Sequence, residues 1–130
     1  MANITIDGKD YNLEDLSDNA RAQIGSMRVA DQEIASLQSK MALAQTARNA
    51  YARELATNLP AKEAAANKKK DVVTVDGKKY NADDFSDNAK QQIAMLRLCD
   101  QKLNALQAEA AMAQTARNAY AIALKAALAG

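Results

Sequence analysis

AQTARNAYA occupies residues 44–52 and recurs unchanged at residues 113–121, an offset of 69 residues. Applied to the whole chain, the same offset aligns TIDGKDYN with TVDGKKYN and LSDNA with FSDNA without a gap. About half the positions from Ile4 to Leu59 are identical to their counterparts from Val73 to Leu128, so the sequence reads as a tandem duplication. The first copy spans residues 1–59, the second spans residues 72–130, and PAKEAAANKKKD at 60–71 joins them. That joining segment holds the only proline and a run of lysines, the composition of a solvated hinge.

Each copy opens on alternating residues around Asp-Gly, a dipeptide that tolerates the positive φ angles of a tight primed turn. Hairpins are therefore predicted at 3–12 and 72–81, with Ile4 opposite Tyr11 and Val73 opposite Tyr80. A lone hairpin is barely stable in water, so its apolar face must rest on something, and the start of a helix is nearest. Tyr11 and Tyr80 are expected to cover that junction. Ser17 and Ser86 are natural helix N-caps, followed by Asp18 and Asp87, which favour the positive end of the helix dipole. From there, runs rich in Ala, Gln, Leu, Arg and Met predict one helix over about 18–58 and another over about 87–127, each about 60 Å long at 1.5 Å per residue.

The first helix carries an apolar stripe at Leu13, Leu16, Ala20, Ile24, Met27, Ala30, Ile34, Leu37, Met41, Ala44, Tyr51 and Leu55. The second repeats it at Phe85, Ala89, Ile93, Leu96, Cys99, Leu103, Leu106, Ala110, Ala113, Tyr120 and Leu124. Steps of three and four make a seam close to a heptad, which a long helix covers only with another helix. Parallel pairing would require the linker to return about 60 Å, whereas its residues fully stretched reach about 40 Å. The fold class expected is mainly α with small β-hairpins. Two hairpin-plus-long-helix repeats would pair antiparallel as a coiled-coil-like rod, open to a larger bundle on oligomerisation, and exchange of helices between two chains stays open.

In that arrangement the segments left unchanged between the copies meet each other. Arg48 falls near Arg97 and Asp100, Arg117 near Arg28 and Asp31, and Gln45 and Gln114 near the same aspartates. Charge-assisted pairs from Asp31 to Arg117 and from Asp100 to Arg48 are predicted, with the alanines of AQTARNAYA letting the backbones approach. A second reading makes Gln45, Arg48, Asn49 and Tyr51, with Gln114, Arg117, Asn118 and Tyr120, a ligand or interface site. Arg forks around phosphate and Tyr offers a stacking face, which suits a nucleotide-like ligand in two symmetric pockets.

Composition narrows the function. There is no histidine, and the single Cys99 sits at a stripe position that is Ala30 in the first copy, where a small buried group suits better than a reactive thiol. Asp15, Asp18, Asp84 and Asp87 stand at helix starts and read as caps, not as acid–base pairs, and the Asp-Gly turns lack a calcium-loop pattern. No catalytic residue, metal site or cofactor is expected. A net charge of +1 gives no field for nucleic acid, and no apolar run nears the length of a membrane helix. The N-terminal MANITIDG lacks the pattern of a secretion signal.

The order IDGKDYNLEDLSDNAR, MRVADQEIASLQ and AQTARNAYARELATNL resembles a group of short, uncharacterised proteins of tailed phages, particularly those of marine cyanobacteria, and of some bacteria. The resemblance covers nearly all of each copy. It implies a phage-related origin, with localisation in the host cytoplasm or on the virion, and a unit normally present once. It implies no activity. The expectation is a non-enzymatic helical module for protein interaction or assembly, with a protein partner or itself as a homo-oligomer. The alternative is a protein that binds or sequesters a small ligand.

Overall fold

The computed structural model describes residues 3–65 and 67–129. Met1, Ala2, Ala66 and Gly130, which the expected copy and linker ranges include, lie outside the described residues. Strand β1 (Asn3–Ile6) pairs antiparallel with β2 (Lys9–Asn12), a single 3-10 turn follows at Leu13–Asp15, and helix α1 runs over Asp18–Ala56. The order then recurs: β3 (Val72–Val75) with β4 (Lys78–Asn81), a 3-10 turn at Ala82–Asp84, and helix α2 over Asp87–Ala129. The protein is thus mainly helical, with two small hairpins and two long helices that pack against each other.

Both hairpins turn as their Asp-Gly pairs require. Asp7 and Gly8 hold φ of 51° and 80°, Asp76 and Gly77 hold 50° and 80°, and both central residues of a type I′ turn need positive values. The register sets Ile4 opposite Tyr11 and Val73 opposite Tyr80. Ser17 Oγ accepts from the Ala20 N–H at 3.1 Å, and Ser86 Oγ accepts from the Ala89 N–H at 3.2 Å, which caps both helices. A 3-10 turn stands ahead of each cap, and Asn12 starts the first by accepting from the Glu14 N–H.

Helix α1 ends two residues before the expected 58 because Thr57 and Asn58 turn their side chains back onto the Glu54 carbonyl, each at 2.8 Å. That satisfies a carbonyl the helix leaves open, just ahead of Pro60. Helix α2, with no such stop, runs two residues past the expected 127. Two backbone hydrogen bonds tie the joining segment to the second hairpin: the Ala64 N–H donates to the Lys79 carbonyl and the Ala82 N–H to the Asp71 carbonyl, both at 2.8 Å. A two-stranded hairpin leaves edge carbonyls open to such donors.

The chain divides into two compact units, each assembled from both halves of the sequence. One comprises residues 1–40 and 106–130, the other residues 41–105. In the first unit, Leu16, Ala20 and Ile24 of the early chain bury together with Leu124 from the end of α2, and Ile4, Ile6 and Tyr11 of the hairpin pack on them. In the second, Phe85, Ala89 and Ile93 bury with Leu55 from the end of α1 and with Tyr80 of β4. Tyr80 meets Phe85 edge to face, ring centroids 6.0 Å apart. In each unit the start of one helix therefore lies beside the end of the other, running in opposite directions. Every residue of the expected stripes is buried or half-buried, and Cys99 is buried.

Leu55 is 2% exposed and Ile122 is 70% exposed. Leu55→Ala will lower the free energy of unfolding by about 2–5 kcal/mol, and Ile122→Ala will change it by less than about 0.5 kcal/mol, read from guanidinium denaturation with unchanged slope.

Candidate functional site

In α2, Arg117, Ala121 and Leu124 follow at steps of four and three, so all three share the face that meets α1. In α1, Ile24, Met27 and Asp31 do the same, at steps of three and four. The β1–β2 hairpin overhangs the line where these faces meet, and the three elements enclose a cleft of about 390 Å³. Its floor is apolar, from Ile4, Ile6, Ile24 and Leu124. Its rim is charged: Arg117 Nε donates to Asp31 Oδ1 at 2.8 Å, Lys125 Nζ lies 3.3 Å from Asp7 Oδ2, and Arg28 stands among them with no ion pair among the described residues.

The second unit holds a cleft of the same construction and about 380 Å³, between the β3–β4 hairpin (Thr74, Val75, Asp76), Leu96 of α2 and Leu55 of α1. Here Arg48 Nε donates to Asp100 Oδ1 at 2.6 Å. Ala56 stands where the first unit has Lys125, so Asp76 has no ion pair among the described residues.

Other expected neighbours are not brought together. The side-chain amides of Gln45 and Gln114 donate to Asn49 and Asn118 one turn along their own helices, both at 3.0 Å, instead of reaching the aspartates. An i, i+4 partner within one helix is available without any tertiary contact. Arg28 shares the first cleft with Arg117, but Arg97 lies in a separate depression beside Asp83 and Lys90. Nor do Arg117, Asn118 and Tyr120 converge on one ligand. Asn118 is exposed, and half-buried Tyr120 lines a different groove of the first unit, with Ala22, Gly25, Val29 and Ala113. Tyr51 is half-buried and Asn49 exposed in the second unit. Among the described residues no group of three or more His, Cys, Asp or Glu is placed to hold a metal ion, and no helix is long and apolar enough to cross a membrane.

Two further features arise from the packing. One is the hairpin as the wall of a cleft, with Asp7 of its turn reaching Lys125. The other is a set of exposed apolar side chains: Val29 and Leu98 are 65% and 54% exposed, Leu43 and Met112 are 73% and 65% exposed. Val29 and Leu98 are equivalent positions of the two copies, as are Leu43 and Met112, a coincidence visible in the alignment. Comparison with protein-family models, curated proteins and solved structures finds no match.

The two Arg–Asp pairs are partly exposed, with side-chain exposures between 34% and 53%. A double-mutant cycle on Arg117→Ala and Asp31→Ala will give a coupling of about 0.5–1 kcal/mol, falling toward zero in about 1 M salt.

Proposed function

We propose that the chain is a non-enzymatic helical module for protein interaction and assembly, in which two tandem copies pair their helices in the manner of an antiparallel coiled coil and present exposed apolar side chains to a protein partner. The observation that carries this reading is the exposure of Val29, Leu43, Leu98 and Met112 at matched positions of the two copies. Large apolar side chains held in water at repeating helical positions lower the free energy of the molecule only when something covers them. The phage resemblance supports a virion-associated or host-interacting component.

The second reading, capture of a small nucleotide-like anion, draws on the two clefts and their arginines. It is weaker because Arg117 and Arg48 each already spend their Nε on an aspartate, and because Tyr120 lines another groove. The two readings part on Arg48→Ala: ligand capture requires loss of ligand-induced thermal stabilisation with the apo protein unchanged, whereas a packing role requires an earlier apo melt.

Light scattering at micromolar concentration will give a particle heavier than the 14.0 kDa chain, and Val29→Glu with Leu98→Glu will return it to one chain that keeps its helical circular dichroism. A wild-type particle of a single chain contradicts self-assembly.

A further inference from the structure

The exposed apolar residues lie on helix stripes that also carry charge, and the charges are reversed between the copies. On α1, Val29, Glu33, Lys40 and Leu43 follow at steps of four, seven and three; on α2 the equivalent stripe is Leu98, Lys102, Glu109 and Met112. All eight side chains are exposed. Each stripe is apolar at both ends and charged between, and every charge on one has the opposite sign at the equivalent position of the other.

The stripes also differ in relief. Beside Val29 and Glu33 a shallow groove of about 660 Å³ opens in the first unit, floored by Ala22, Gly25, Ser26 and Ala113. A Cβ built on Gly25 would meet nothing within 4 Å. The positions equivalent to Gly25 and Ser26 on α2 are Ala94 and half-buried Met95. One stripe is bordered by a hollow where the other carries a long, adaptable side chain.

Resting on the assembly reading above, we propose that the occupant of this face is a second copy of the chain, with the α1 stripe of one molecule lying along the α2 stripe of the other in the same direction. Val29 of the first unit then meets Leu98 of the other molecule's second unit and Glu33 pairs with Lys102, while Met95 enters the hollow at Ser26. Pairing of α1 with α1 in opposite directions would also match Glu33 to Lys40, but it leaves the hollow without Met95. Complementary charge fixes which surfaces meet and in what register, and the apolar ends supply the burial.

Charge reversal tests this, measured by sedimentation or light scattering on the full chain, with circular dichroism to verify that each variant is folded. Glu33→Lys alone and Lys102→Glu alone are each expected to raise the dissociation constant about tenfold or more, since each sets like charges face to face. Glu33→Lys with Lys102→Glu restores it. Ser26→Met, which fills the hollow, weakens association with no charge change. Rescue of Glu33→Lys by Lys40→Glu instead of Lys102→Glu seats α1 against α1 and overturns the proposal. Association of the wild type that is indifferent to all these changes overturns this face and leaves the assembly reading standing. A wild type that stays a single chain at every concentration overturns self-association through this face and leaves a different protein as the partner in the assembly reading.

Discussion

The structure depends on a small apolar contact made twice: a leucine near the end of one long helix completes the core between the hairpin and the start of the other. In the first unit that residue is Leu124, which buries with Leu16, Ala20 and Ile24. In the second it is Leu55, which buries with Tyr80, Phe85, Ala89 and Ile93. A two-stranded ribbon of four-residue strands has too little surface to hold itself together in water, and a helix edge alone gives it only one wall. The distant leucine is the wall that closes the site. Antiparallel placement follows, because only the end of a helix that runs the other way reaches that position in each unit.

Much else in each unit serves this contact. Ala20 and Ala89 are 1% and 0% exposed, and their small side chains let the opposing helix come close enough for the leucine to seat. The Arg117–Asp31 and Arg48–Asp100 pairs lie one to two turns along from those cores. At their exposure they add little to stability, yet they cost energy whenever the helices slip by a turn, so they act on register more than on strength. Identity of AQTARNAYA in the two copies is consistent with that role: its arginine and its half-buried alanines and tyrosine face the opposite helix, and its asparagine and glutamine hold each other on the outside. What this packing leaves uncovered is the stripe that begins at Val29 and Leu98, which is where a partner gains most.

The parts of this architecture legible in the sequence were those set by local chemistry. Asp-Gly fixed the hairpin turns, Ser17 and Ser86 fixed the helix starts, and steps of three and four picked out a stripe whose members are all buried or half-buried. The offset between the copies also made the Arg–Asp partners legible, since a register between helices follows once each residue has a twin. Less legible were events that depend on which side chain competes for a group. Gln45 and Gln114 found nearer partners than the aspartates, Thr57 and Asn58 closed α1 early, and a backbone amide of the linker took a carbonyl of β4. The exposed apolar set went unread for a different reason. Spacing marks the main seam, but only packing shows that the apolar side chains standing off it, Val29, Leu43, Leu98 and Met112, stay uncovered.

Each hairpin is held by the far end of the other helix, and native-state hydrogen exchange on Leu124→Ala reads that contact out. With the leucine removed, the amides of β1 and β2 will exchange faster by a factor matching the lost packing, while those of β3 and β4 keep their wild-type protection. Acceleration confined to the last turns of α2, with the first hairpin untouched, would contradict it.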